Sequence, residues 1–315
     1  MRRRELAVAG VLAVLLLVLA LRAPSFFQGQ PLRSLLTREA PVLVMACGMT
    51  VVILTRQIDI SVGSQFSVCS VAAGLLAAHG WPIGAVIPFA VFLGFFLGAV
   101  NGALVAGLGL PSIVVTLATM VTLRQGLNLV QQGEFVNLPD RVQWFGLEQT
   151  PGQWSVLAIA LAVLAGSAFA LHSFAAGRHF YAVGSDAEAA RLAGIRPRRV
   201  TFAAFAGMGA LCGLAAVMNI VQSPQVQPLA GAGLELKAIA AVVVGGVAIS
   251  GGRGSVWGGA IGLLLLACIP SALTHLRIEA YWEKAIQGGI ILLACATEIA
   301  RPRAKKSPPA KAAAA

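Results

Sequence analysis

From Leu6 to Ala300 the chain alternates long apolar runs with short polar breaks, and a chain built that way folds only with lipid as its solvent. Composition agrees: 58% of its residues are hydrophobic and 11% charged, with a mean hydropathy of +0.84. A soluble domain of 315 residues needs a larger polar fraction to cover its surface. A bilayer core about 30 Å thick takes roughly 20 helical residues to cross. Spans are predicted at 6–22, 40–56, 61–79, 83–108, 111–131, 154–174, 200–221, 234–250, 255–275 and 284–300, ten in all. They are read as helices, because barrel strands alternate apolar and polar positions over roughly ten residues. The predicted fold is an all-α integral membrane protein with a single transmembrane domain over 1–300. The basic, proline-rich tail at 301–315 is predicted to be disordered.

The basic residues set the orientation. Ten crossings that start inside place Arg2–Arg4, Arg56, the 175–199 loop, Arg253 and the tail in the cytoplasm, which holds fifteen of the 23 Lys and Arg residues. Both termini are therefore predicted to be cytoplasmic. The net charge of +11 is explained by topology and by attraction to anionic lipid, and needs no nucleic-acid partner. Met1-Arg-Arg-Arg before an apolar run is similar to a secretory signal, but the run from Leu6 to Leu21 is long for one and further spans follow, so an uncleaved first helix is predicted. Cys47, Cys69, Cys212, Cys268 and Cys295 all fall within apolar spans without metal-type spacing, and are read as small hydrophobes. His79, His172, His179 and His275 sit near different span ends, so no metal site is expected, and no catalytic constellation is apparent.

Three breaks carry information. In Thr55-Arg-Gln-Ile-Asp-Ile-Ser-Val-Gly-Ser64 a carboxylate, Asp59, stands between apolar residues at or near membrane depth. A charge there costs about 2.5–3.5 kcal/mol on insertion scales. Either the segment is a broken helix forming a cavity or gate, or Asp59 or Ser61 caps the third span; the two readings are compatible. In the 175–199 loop, Ser185-Asp186-Ala-Glu188 is read as a capping box opening a short helix that stops at Gly194. Two turns of helix are not stable alone in water, so this one must dock, either on the membrane face or as a lever against a cytoplasmic partner. The third break joins a charged start, Gly233-Leu-Glu-Leu-Lys237, to a glycine-rich exit over 245–254. Glu235 and Lys237, two apart, point to different helix faces and are not expected to pair with each other. Ile249-Ser-Gly-Gly-Arg253 is superficially similar to the signature of ABC ATPases, but the chain has no phosphate loop and the stretch joins two apolar spans. Glycines spaced as in Gly94-x-x-x-Gly98-x-x-x-Gly102 and Gly258-Gly259-x-x-Gly262 predict close helix packing.

Taken together, four stretches resemble the permease subunits of bacterial ABC importers of the ribose, xylose and arabinose class: Gln57-Ile-Asp-Ile-Ser-Val-Gly-Ser64; Asn101-Gly102 ahead of Pro111-Ser-Ile-Val-Val-Thr-Leu117; Gly177-Arg-x-x-Tyr-Ala-x-Gly184 with Ala189-Ala-Arg-Leu-Ala-Gly-Ile195; and Lys237-Ala-Ile-Ala-Ala241 with Gly245-Gly246 and Gly251-Gly-Arg-Gly254. Thr55-Arg56-Gln57 stands where the sugar permeases usually have Gly-Gly. With Gly233-Leu-Glu-Leu-Lys237 and Leu276-Arg-Ile-x-Ala-Tyr-Trp282, it looks more like the autoinducer-2 and rhamnose permeases of the same class.

The resemblance implies a non-catalytic subunit in the bacterial inner membrane that imports a small sugar or sugar-like solute by alternating access. Its implied partners are a second permease subunit, a cytoplasmic ABC ATPase that holds the ATP and magnesium, and a periplasmic solute-binding protein; this chain itself binds no cofactor. The matching loop residues Gly177, Arg178, Tyr181, Ala182, Gly184, Asp186, Glu188, Ala189, Ala190, Gly194 and Ile195 are expected to couple to the ATPase, and Ala190→Asp to impair its docking. Asp59, Ser61, Asn101, Thr116, Arg124, Glu235 and Lys237 are expected to line the path. The alternatives are a branched-chain amino-acid permease of the same architecture and an ion-driven secondary transporter, which would use Asp59 and Glu235.

Overall fold

A computed structural model describes residues 3–275 and, beyond them, 279, 282, 285, 286, 288–290 and 292. Most of the predicted tenth span, the 301–315 tail, Cys295 and most of the 276–282 motif lie outside the described residues. The helices are α1 (Arg3–Arg22), α2 (Gly29–Leu54), α3 (Val62–Ala78), α4 (Ile83–Gly102), α5 (Ser112–Gln131), α6 (Gln149–Ser173), α7 (Ala175–Ser185), α8 (Ala187–Leu192), α9 (Pro197–Ile220), α10 (Leu234–Val244) and α11 (Val256–His275). A π-helical turn over Ala103–Gly107 extends α4. A two-residue antiparallel ladder pairs β1 (Val136–Asn137) with β2 (Gln225–Val226) in the loops.

Among the described residues seven helices are long and apolar enough to cross a membrane: α1, α2, α4 with its π turn, α5, α6, α9 and α11. The chain is thus a multi-pass helical membrane protein. The predicted third and eighth spans are shorter than expected. α3 has 17 residues and α10 only 11, because Gly245 and Gly246 turn the chain after Val244, with Gly246 at φ +93°. The second helix is longer than expected, starting at Gly29 rather than at residue 40. The polar stretch Arg33–Glu39 argued for a loop, yet Glu39 is buried and its charge is matched inside the bundle.

α2, α3 and α9 form the buried centre, with Met45, Met49, Phe66, Phe205 and Met208 enclosed there. α4 and α9 cross in close contact through glycine. A Cβ on Gly94 would strike the Gly209 carbonyl, and one on Gly98 the Phe205 carbonyl. α10 and α11 meet in the same way at Gly245 and Gly258, and at Gly262 against the Ala241 carbonyl. In lipid, burying area gives little drive between helices, so this approach of backbones is what binds them. The outer faces of α4 and α6 present Phe92, Phe96, Leu161 and Phe169, suited to acyl chains.

Candidate functional site

The chain unwinds between α2 and α3, and a polar cluster fills the gap. Asp59 Oδ1 accepts the backbone N–H of Ser61 at 2.9 Å and its hydroxyl at 2.5 Å. The Ser61 hydroxyl in turn accepts from Gln65 Nε2 at 2.7 Å and from Asn101 Nδ2 at 2.8 Å. One donor and two lone pairs are a hydroxyl's full capacity, so Ser61 is saturated. Asn101 Oδ1 accepts from Thr119 on α5 at 2.7 Å. Thr116, whose hydroxyl bonds the Ser112 carbonyl at 2.8 Å, faces the Ile58 carbonyl at 3.4 Å. The break, the end of α4 and the start of α5 are thereby tied through side chains that water does not reach: Asp59, Ser61, Gln65, Asn101 and Thr116 are all fully buried. The π turn begins two residues beyond Asn101, an irregularity often found at functional positions. Ser61 occupies the N-cap position of α3 without capping through its side chain, and Asp59 closes an Asx-type turn one residue ahead of the helix.

A second, charged layer lies where α10 begins. Glu235 Oε1 takes Arg124 Nη2 of α5 at 3.2 Å, while its Oε2 accepts the N–H of Gly233 at 3.1 Å. Lys237 Nζ lies 2.7 and 2.8 Å from the two carboxylate oxygens of Glu39 on α2. Glu235 and Lys237 therefore serve different partners, as their spacing predicts. The acids are enclosed, but the Arg124 and Lys237 side chains keep 27% and 25% exposure, whereas the Asp59 cluster is fully buried. The layers touch where α3 and α10 both start: a Cβ on Gly63 would collide with Glu235 Oε2 and the Gly231 carbonyl, and the Gly231 N–H bonds Ser67 Oγ at 3.0 Å. Glu39 was missed from the sequence. The signal was the same one that marked Asp59, a lone carboxylate bordering an apolar run, but it lay one residue outside the assigned span.

The loop residues form a separate site. Gly177, Arg178, Tyr181, Ala182 and Gly184 lie on α7; Asp186 caps α8; Glu188, Ala189 and Ala190 lie within α8; Gly194 and Ile195 follow it. Asp186, not Ser185, is the cap, accepting the N–H groups of Glu188 and Ala189 at 3.0 and 3.1 Å. The expected capping box is displaced by one residue, and Glu188 turns instead to Arg191 at 2.6 Å, which holds that guanidinium above its usual pKa. Ala190 is buried against the bundle, whereas Ala189 and Leu192 face outward, Leu192 at 79% exposure. Asp at position 190 would thus unseat α8 from its own chain rather than from a partner. Gly194, at φ +82°, stops the helix as predicted. Beside α7 a cavity of about 690 Å³ opens between the end of α6 and the start of α11, lined by His172, Arg178, Tyr181 and Trp257.

A bundle of lipid-facing helices, two breaks meeting over buried charges and a docked stub helix suit a membrane permease. The chain belongs to the family described as the permease component of the branched-chain amino acid transport system, whose profile matches residues 32–295. It is similar to the autoinducer 2 import system permease protein LsrC of Klebsiella pneumoniae, at 35% identity over 297 residues that cover 93% of this chain and 85% of that one. It is also similar to the ribose import permease protein RbsC of Escherichia coli K12, at 33% identity with 90% of each chain covered. A probable ABC transporter permease of Sinorhizobium fredii is 32% identical over 93% of this chain and 88% of its own. No solved structure matches.

Proposed function

We propose that the chain is the membrane permease subunit of an ATP-driven importer for a small sugar or sugar-like solute: a ribose-class monosaccharide, rhamnose or autoinducer-2. The observation that carries this is alignment over nine-tenths of the chain with permeases named for ribose and autoinducer 2 import. These relatives favour a sugar-like solute over the branched-chain amino acid in the family's description. The subunit is one transmembrane domain over 1–300, with about ten membrane helices of which α3 and α10 are short, and both ends in the cytoplasm, in the bacterial inner membrane. It works with a second permease copy or homologue, a cytoplasmic ATPase that holds nucleotide and magnesium, and a periplasmic binding protein.

The polar groups divide the labour. Arg124, Glu235 and Lys237 form the part of the path that a solute's hydroxyls reach first. Asp59, Ser61, Asn101 and Thr116 form a lock behind it that opens when α3 and α10 separate. Residues 177–195 receive the ATPase. The test is uptake into proteoliposomes containing the chain, its ATPase and its binding protein. Ribose or autoinducer-2 is expected to raise ATP hydrolysis and to accumulate only with ATP. Uptake that ignores ATP and collapses with an ionophore would overturn the proposal in favour of ion coupling, and stimulation by leucine alone would overturn it in favour of the amino-acid reading.

A further inference from the structure

Arg56 is an oddity that neither the lock nor the path explains. It adopts φ +62°, the left-handed region in which a residue with a Cβ is strained. Its backbone closes the end of α2, with its N–H on the Ile53 carbonyl at 2.9 Å. Its guanidinium reaches 129 residues along the chain and donates from Nη2 to the Ser185 carbonyl at 2.5 Å. Ser185 is the last residue of α7 and directly precedes Asp186, the cap of α8.

The surrounding backbone is packed so tightly that these segments cannot slide past one another. The N–H of Gly252 bonds the Leu54 carbonyl at 2.9 Å, and a Cβ on Gly184 would run into that same carbonyl. Gly251 and Gly252, at φ +79° and +67°, lie against the Arg56 side chain and against Ser185. Tyr181 adds a hydroxyl bond to the Gly254 carbonyl at 3.2 Å. Three residues beyond Arg56 lies Asp59, the anchor of the buried lock.

We propose that Arg56 is a positioning residue that transmits displacement of α8 into the α2–α3 break. The step rests on the importer reading above, because the displacement originates in the ATPase. When α8 moves, the Ser185 carbonyl moves with it. The guanidinium follows, and a span of three residues delivers the motion to Asp59 and Ser61. Backbone contacts hold the Leu54 end of α2 against Gly184 and Gly252, and the Arg56 guanidinium adds the side-chain link from the residue that leads into the break to the carbonyl that precedes α8, so without it movement of α8 reaches the lock less completely.

Arg56→Gly is a favourable test, because glycine relieves the left-handed strain while deleting the link, so the fold is kept. Arg56→Met keeps the stem against Gly251 and removes only the donor, and Arg56→Lys retains a donor. In the complete complex supplied with ribose or autoinducer-2, the Gly and Met variants are expected to lower solute imported per ATP hydrolysed by about fivefold, the scale of one ordinary solvent-accessible hydrogen bond. Hydrolysis and co-purification of the ATPase stay at wild-type levels, and Lys restores most of the ratio. Hydrogen exchange gives a readout independent of any solute. ATPase binding changes protection of the 57–64 amides in the wild type and leaves them unchanged in Arg56→Met. A wild-type import ratio in both the Gly and Met variants, or a change in 57–64 protection in Arg56→Met as large as in the wild type, would overturn the proposal. A wild-type complex that imports neither solute would count against the importer's cargo alone, with the exchange response still deciding on Arg56.

Discussion

Ser61 shows how one hydroxyl can hold a membrane-buried carboxylate. It gives its proton to Asp59 and accepts from Gln65 and Asn101, so its loss leaves the Asn101 amide without this acceptor and takes one bond from each of Asp59 and Gln65, which still hold each other. Ser61→Ala is therefore expected to cost about 1–3 kcal/mol, the range for leaving a buried partner without its bond. Thermal unfolding of the detergent-purified protein measures this, and a change below about 0.5 kcal/mol, the scale of an ordinary surface substitution, would show that the cluster relaxes without it. Asp59 was legible in the sequence because a carboxylate amid Ile and Val is costly wherever it falls. Its partners were only partly legible: Asn101 was singled out but Gln65 and Thr119 were not, since amides and hydroxyls are common in such helices and nothing local says which face they take. Glu39 escaped because the energetics that make a lone acid conspicuous were applied only inside assigned spans.

The elements obey backbone rules more faithfully than hydropathy. α10 ends where two glycines turn the chain, although the apolar run continues to Ile249, so its length was overread. Asp186 caps α8 one residue later than Ser185 would, since Ser185 is still the last turn of α7. The glycine spacing on α4, in contrast, was sufficient, because a repeat of four residues puts all three on one stripe whatever they face. The stripe's partner on α9 supplies a controlled comparison. Gly209→Ala places a methyl against the Gly94 carbonyl and is expected to destabilise by about 1–3 kcal/mol. Gly207→Ala, two residues away with open space around it, is expected to be neutral or to stabilise by up to about 1 kcal/mol through helix propensity. Denaturation of the two variants side by side checks the pair, and equal losses would rule out the close crossing.

At the scale of the whole molecule, the polar centre and the face proposed to receive the ATPase are distinct, linked by the corner where α2, α7 and the glycine loop meet. α8 rests on the bundle through Ala190 and offers Ala189 and Leu192 outward. Leu192→Asp is therefore expected to reduce recovery of the ATPase with the tagged permease by about tenfold, equivalent to about 1.4 kcal/mol, with membrane insertion unchanged. Undiminished recovery would move the docking face elsewhere. The class of protein was readable from the chain, because lipid imposes its demands along every turn. Which helices are short was less legible, because α3 and α10 are as apolar as their longer neighbours and the apolar run continues past the glycine turn that ends α10.

The corner at 251–254 has a consequence for how such a subunit can evolve. Gly251 and Gly252 combine a left-handed backbone with direct contact against Arg56 and Ser185, so a replacement at either is penalised twice over. Phenylalanines turned to the acyl chains answer only to being greasy. Drift in this lineage is accordingly expected to accumulate around the rim, while Gly251 and Gly252 at the elbow are expected to stay fixed, whatever cargo the importer comes to carry.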